Sequence, residues 1–278
     1  MKKIFLCLIA SMVMVLMGTI IVNPIQTNAL SLAQAGYYCD TSYYDTGNDY
    51  YNIRQDIPYD SFNQTELYLE RYAPNYINAD HANACAPMAG YILMGYYDYT
   101  FSNLIPNFES GYFYNGTFRY RGQTTETDKV KIQLYNLMGT NTIQPGTSAN
   151  QFKNGLSAYV NQQGYSLNLT SCNKSKLISE VKTYLNNQIP VVVFANSYEY
   201  YPATAISFKN NIYSFVGRKT DNGHVAVIYG YTHYDFYLNG QLNVSRDFFV
   251  ISFGDGTQGL LAANNLSYVD EAYGVNIF

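Results

Sequence analysis

NACAPMAGYILMGYYDY (83–99) decides the fold, because it places the thiol of Cys85 at the start of an apolar helix that we expect to begin at about Ala86. The second informative stretch is GHVAVIYGY (223–231), where His224 stands before an apolar strand. A cysteine is a nucleophile only as its thiolate, and a helix N-terminus with an imidazolium beside it lowers a thiol pKa. Together the two stretches predict a catalytic cysteine with a lowered pKa and a histidine that serves as its base.

The other two histidines give weaker signals. His81 lies four residues before Cys85 in a loop, and His233 lies in the connection after the strand, where we expect it to be exposed. A zinc site built from Cys85, His81 and His224 has no CxxC or HxxxH spacing to support it. The chain also has no glycine-rich phosphate loop, so the sequence predicts neither a metal nor another cofactor.

Helix signatures come before strand signatures along the chain. Three segments predict amphipathic helices: residues 125–138, a helix that Ser148 caps, and residues 174–187. Pro190 then opens the apolar strand VVVFA. This order predicts an α+β fold, with an N-terminal helical half that carries the thiol and a C-terminal antiparallel sheet half that carries the histidine.

A β-hairpin is predicted directly after His224. The strand VAVIYGY is followed by a connection that contains Asn239-Gly240, a pair typical of tight turns, and then by a strand that begins at Asp247. We expect Tyr231 to pair with Asp247. With that register, the histidine faces the end of the second strand, at FGDG.

Asp255 is therefore the predicted third member of the site. Its carboxylate would accept the Nδ1 proton of His224, hold the tautomer and stabilise the imidazolium. The alternative is that Asp255 only forms the Asp-Gly turn. Ser252 is the next candidate for the role, with Asn243 and Asp235 behind it.

The N-terminus predicts secretion. A short positive start at Lys2 and Lys3, an apolar run over 4–22 and a small-residue cleavage site before Leu30 are typical of a signal peptide, here residues 1–29. An uncleaved membrane anchor is the alternative. The whole chain has a formal charge of −4, and removal of the two lysines makes it more negative. An acidic chain of low charge density is a poor partner for nucleic acid or an anionic membrane.

Residues 30–70 lack sustained periodicity and are predicted to form a strand-poor N-terminal extension or pro-segment. Signal cleavage removes Cys7 and leaves Cys39, Cys85 and Cys172, an odd number in an oxidising compartment. A disulfide between Cys39 and Cys172 would leave the proposed nucleophile free. Three buried, unpaired thiols are the alternative.

Three blocks carry a resemblance to a known family: NACAPMAGYILMGYYD, KLISEVKTYLNNQIPVVVF and GHVAVIYGY. They resemble secreted bacterial cysteine peptidases of the papain-like fold, close to the family related to bacteriocin-processing double-glycine peptidases. The similarity covers about residues 72–257. It implies a papain-like domain over 71–278, with Cys85 as nucleophile and His224 as general base, and FVISFGDG is similar to the block that supplies an asparagine or aspartate.

Two features of the sequence depart from that family pattern. The family has a glutamine about six residues before the nucleophile, which helps to bind the oxyanion, and here that position is Ala79. The backbone N–H of the nucleophile, or one of three nearby side chains, would then do this work. Those side chains are Asn78, His81 and Asn83. The interval from the histidine to the predicted aspartate is also longer than usual.

Three functions are compatible with the sequence. The leading hypothesis is a secreted cysteine peptidase that hydrolyses peptide bonds of a peptide or protein substrate through an acyl-enzyme. The second is an acyltransferase or transglutaminase-like enzyme with the same site, because water and amines attack the same thioester. The third is a catalytically silent surface binding protein, rich in tyrosine with 31 such residues.

Overall fold

The computed structural model describes residues 37–45, 50–77, 81–202, 206–209, 211–254, 256, 258–263 and 267–278. The predicted signal peptide over 1–29 lies outside these residues. Four helices are described: α1 (Cys85–Asp98), α2 (Thr125–Leu137), α3 (Ala149–Gln162) and α4 (Leu177–Asn186). No helix in this part of the chain is both long and apolar enough to cross a membrane.

Fourteen strands make up most of the described secondary structure. They are β1 (Tyr37–Asp45), β2 (Tyr50–Pro58), β3 (Ser61–Tyr68), β4 (Gly111–Tyr114), β5 (Thr117–Tyr120), β6 (Leu167–Ser171), β7 (Val191–Ala195), β8 (Tyr198–Pro202), β9 (Ile206–Lys209), β10 (Ile212–Thr220), β11 (His224–Leu238), β12 (Gln241–Ser252), β13 (Gln258–Ala262) and β14 (Val269–Ile277).

Twelve of these strands form one large antiparallel sheet. Its order is β1-β2-β10-β8-β13-β12-β11-β7-β14-β6, with β3 added to β11 and β9 added to β10. Strands β4 and β5 form a separate hairpin. The predicted α+β papain-like fold with a helical half is therefore wrong, because a single sheet dominates the protein and strands occur both before and after the helices.

The predicted strand-poor extension contains three strands of the main sheet, β1, β2 and β3. Strand β2 pairs with β10 through nine residue pairs, and β3 pairs with β11 through eight. Among residues 53–58 of β2, Ile53, Gln55, Ile57 and Pro58 are buried, so the polar Gln55 interrupts the apolar alternation that would have marked a strand. Most residues of β3 are exposed, and the strand therefore shows no apolar face. Whether this segment is removed as a pro-segment stays a prediction.

The helices lie close to the positions that the sequence predicts. Helix α2 has the capping box of Thr124 and Thr127, and the Ser148 hydroxyl accepts the Gln151 N–H at the start of α3. Helix α1 is buried at every residue from Ala86 to Asp98. It packs on β11 and against α2 and α3. A helix that is apolar on all sides needs such surroundings, and they fix its N-terminus beside the sheet.

The hairpin after the histidine is longer than predicted. Strand β11 runs on to Leu238, so the stretch predicted as a connection is part of the sheet. Asn239 and Gly240 form the turn, with φ of 53° and 74°, as the sequence predicted. The expected pairing of Tyr231 with Asp247 is wrong: Tyr231 pairs with Phe249. A register shift between residues 228 and 230 changes the pairing again nearer His224.

Candidate active site

The N-terminus of α1 surrounds the sulfur of Cys85 with backbone N–H groups. Cys85 is the first residue of the helix, and the first intrahelical bond runs from the Met88 N–H to the Ala84 carbonyl at 2.9 Å. The backbone N–H groups of Val225 on β11, Ala86 and Cys85 all act to lower the pKa of the thiol, so all three lie close to the sulfur. The thiol therefore lies beside the residue that follows His224.

Cys85 and His224 line the same pocket, which has a volume of about 380 Å³. Its walls come from the start of α1, the start of α3, the loop before α3, and the ends of β7, β11 and β14. The remaining lining residues are Gln144, Pro145, Gly146, Thr147, Ser148, Ala149, Phe194, Ala195, Asn196, Gly223, Val225, Asp270 and Glu271. Two helix N-termini meet here, and their dipoles favour negative charge that develops at the sulfur or at a substrate carbonyl.

The His224 ring is oriented by a backbone carbonyl. Its Nε2 lies 3.1 Å from the carbonyl oxygen of Phe253. Because a carbonyl oxygen only accepts, Nε2 carries the proton of the neutral imidazole, and Nδ1 is the basic nitrogen. The rings of Tyr198 and Phe253 flank the imidazole, with centroids at 5.6 and 5.4 Å. The neutral imidazole therefore donates from Nε2 to the backbone, and the predicted donation from Nδ1 to Asp255 stays a prediction.

The predicted third residue, Asp255, lies outside the described residues. Its nearest alternative, Ser252, does not serve His224. Ser252 pairs with Val227, three positions along β11 from the histidine, so the two side chains lie on opposite faces of the sheet. In the described part of the chain, the buried Ser252 hydroxyl has no hydrogen-bond partner.

The two weaker candidates are engaged elsewhere. The Asn243 amide donates to the Pro58 carbonyl at 3.0 Å. Asp235 accepts the Ser245 hydroxyl at 2.5 Å and lies 3.0 Å from Nε2 of His233.

His233 is a member of the sheet rather than an exposed loop residue. It pairs with Asp247 across the hairpin, and its Nδ1 lies 2.8 Å from that carboxylate. The Tyr231 hydroxyl donates to the same carboxylate. His233 thus bridges Asp235 and Asp247. Both of its ring nitrogens contact carboxylates that lie outside the pocket lining.

Burial raises the pKa of the Cys85 thiol, and the three N–H donors from Val225, Ala86 and Cys85 only partly offset it. The predicted lowering of this pKa is wrong in direction. The sequence shows the helix terminus but not the walls of the pocket, which remove water from the sulfur. At rest the thiol is therefore neutral, and a base must take its proton during attack.

Asn141 was not predicted from the sequence, although it fixes the pocket rim to the turn before Cys85. Its Nδ2 donates to the Ala82 carbonyl at 3.0 Å and to the Tyr135 hydroxyl at 2.7 Å. Its Oδ1 accepts the Asn83 side-chain amide at 3.1 Å and the Gly146 N–H at 2.7 Å. One side chain thus holds two loops together through all four of its hydrogen-bonding positions.

The predicted oxyanion donors are only partly available. Asn78 and Ala79 lie outside the described residues, and the Asn83 side chain donates to Asn141. The ring of His81 packs on Tyr135 at 4.8 Å between centroids. Gln144 lines the pocket and has a side-chain amide, which makes it a donor that the sequence analysis did not consider.

Cys172 is a free, buried thiol, so the considered disulfide with Cys39 does not form. Burial and the nearby Glu180 raise the pKa of Cys172 to about 11. Among the described residues, no group of three or more His, Cys, Asp or Glu side chains is arranged to hold a metal ion.

No protein-family model matches the chain, and no curated protein is significantly similar to it.

Proposed function

We propose that the protein is a cysteine peptidase in which Cys85 is the nucleophile and His224 is the general base. The observation that carries the proposal is the shared pocket of Cys85 and His224, in which the Val225 N–H also lies close to the sulfur. This pocket brings together a thiol and an imidazole that are distant in the sequence. Nucleophilic catalysis by a thiol needs a base within reach and a pocket for the carbonyl substrate.

The raised pKa of Cys85 determines the order of the steps. As the sulfur attacks the carbonyl carbon and forms the C–S bond, its proton moves to Nδ1 of His224. The imidazolium then gives this proton to the leaving amine, and the C–N bond breaks to leave a thioester. Water attacks the thioester, His224 takes a proton from that water, and the C–S bond breaks as the proton returns to the sulfur.

Backbone groups supply the supporting interactions. The Phe253 carbonyl accepts from Nε2 of His224 and stabilises the imidazolium that forms during attack. The N–H groups of Cys85 and Ala86, at the start of α1, favour the negative charge that develops near the sulfur. Secretion through residues 1–29 and a peptide or protein substrate belong to the same proposal.

Turnover of an unfolded protein and of a diverse peptide library, followed by mass spectrometry, tests the proposal. Cys85→Ala and His224→Ala are expected to lower cleavage by 10³-fold or more, because nucleophile and base act as one unit. Cys172→Ala and His233→Gln are the matched controls, since they change the same residue types outside the pocket. Both controls are expected to retain most of the cleavage.

Two results would contradict the proposal. One is cleavage by Cys85→Ala at the wild-type rate. The other is the absence of any cleaved peptide with the folded wild-type protein, which would favour a silent binding protein. Addition of a primary amine during turnover separates the two enzyme hypotheses: amide products in place of acids would show acyl transfer rather than hydrolysis.

A further inference from the structure

The charged side chains of the catalytic pocket are all acidic. Apart from Cys85 and His224, the ionisable residues among its described lining are Asp270 and Glu271, and no lysine or arginine lines it. Both acidic residues are exposed at the start of β14. A substrate group beside the reacting thiol therefore meets negative charge on this side of the pocket.

A β-bulge explains why two consecutive residues face one pocket. Val269 pairs with Ala195 and Glu271 pairs with Phe194, so Asp270 is an extra residue without a pairing partner on β7. In a regular strand, neighbouring side chains point to opposite faces, and only one of the two could line the pocket. Bulges redirect side chains in this way next to functional sites.

The surroundings keep both carboxylates at the pocket. The Asn196 amide donates to Asp270 at 3.1 Å, and Asn196 itself lines the pocket. Lys153 lies 4.0 Å from Glu271, but its ammonium donates to the Tyr273 hydroxyl at 3.2 Å and lies outside the pocket lining. Lys153 thus pairs with Glu271 only at the limit of ion-pair distance, and both carboxylates remain exposed.

We propose that Asp270 and Glu271 form a specificity subsite for a cationic side chain, so that the preferred substrates carry lysine or arginine near the bond that Cys85 attacks. The assignment of this subsite to a side chain of a peptide substrate rests on the proposed peptidase function. Two carboxylates that line the same pocket as the reacting thiol attract a cation to it and repel an anion from it.

A pair of thiol reagents tests the subsite without requiring peptidase activity. Trimethylammonioethyl methanethiosulfonate is cationic and sulfonatoethyl methanethiosulfonate is anionic, and each forms a mixed disulfide with a thiol and releases methanesulfinate. Labelling of Cys85 is followed by peptide mapping, and the cation-to-anion rate ratio is divided by the ratio for a small neutral thiol. For wild type at low salt, we expect this normalised ratio to be about ten.

The variant Asp270→Asn/Glu271→Gln keeps the size of both side chains and an acceptor for Asn196. Its ratio is expected to fall to unity or below, because the two helix N-termini then dominate the local field. The control Glu66→Gln/Glu109→Gln removes two carboxylates outside the pocket and should keep the wild-type ratio. Raising the salt concentration on wild type alone should also reduce the ratio.

A wild-type ratio near unity, or a ratio that the double variant leaves unchanged, would overturn the subsite. A high ratio that only the pocket variant abolishes supports it, even with a protein that cleaves no peptide. The failure of the subsite and the failure of the peptidase proposal are therefore separate results.

Discussion

Among the exposed residues near the pocket, Asn141 is the one whose replacement should lower the free energy of unfolding most. The residue holds the turn before the nucleophile through Ala82 and Asn83, and it also bonds Tyr135 and Gly146. Its backbone has a φ of 62°, in the left-handed region that asparagine and glycine tolerate better than alanine. Asn141→Ala removes the four hydrogen bonds and strains the backbone, whereas Asn141→Gly removes the bonds without the strain.

The magnitude follows from these two effects. A net hydrogen bond contributes about 0.5–1.5 kcal/mol, and the lower end applies because Asn141 is exposed, so the four bonds contribute roughly 2 kcal/mol. An alanine at positive φ adds about 1 kcal/mol. We expect the free energy of unfolding to fall by about 2 kcal/mol in Asn141→Gly and by about 3 kcal/mol in Asn141→Ala.

Urea denaturation followed by circular dichroism measures both values. Asn115→Ala is the matched control, because Asn115 has a φ of 48° at the exposed β4–β5 turn, away from the pocket lining. It should cost only the backbone strain, about 1 kcal/mol. If Asn141→Ala destabilises the protein no more than Asn115→Ala, the four-bond link contributes nothing and the reasoning fails.

Two further predictions concern α1 and its neighbours. Burial raises the pKa of Asp98 from its ordinary value of 3.8 to about 6, so the folded protein holds an extra proton between these values, and the free energy of unfolding should fall by up to about 3 kcal/mol as pH rises from 4 to 7. Denaturation of Asp98→Asn across the same range should lose this contribution, and an unchanged pH dependence would refute it. Gly155→Ala should cost about 1–3 kcal/mol, because its Cβ would lie 2.5 Å from Met138 Cγ and 2.7 Å from the Met138 backbone. Gly122→Ala, which meets no atom within 4 Å, is the control, and equal thermal stability of the two variants would contradict the packing argument.

Local signals explain what the sequence could predict. The span of α2, the capping residue Ser148, the apolar surface of α1 and the Asn239-Gly240 turn depend on neighbouring residues, and the sequence predicts all four at nearly the correct positions. The juxtaposition of the thiol and the imidazole also agrees with the prediction, because each stands at the end of an element with a strong local signature.

Long-range features explain what the sequence missed. Register shifts between residues 236 and 237 and between 228 and 230 leave no apolar or turn signal, and Tyr231 pairs two residues away from the expected partner. Strand β2 buries Gln55 and strand β3 is largely exposed, so their sequences lack the apolar alternation that marks strands of a sheet. Desolvation of Cys85 depends on walls from α3, β7 and β14, which no local pattern reveals.

The central claim is that His224 takes the proton of Cys85, and the pH dependence of Cys85 alkylation tests it most directly. The rate constant for iodoacetamide at Cys85 is measured by peptide mapping in wild type and in His224→Ala. Because burial raises the thiol pKa, His224→Ala should react only as pH approaches that raised value. Wild type should show an additional rise at lower pH, where the neutral imidazole assists proton removal. Superimposable profiles in the two proteins would contradict the account.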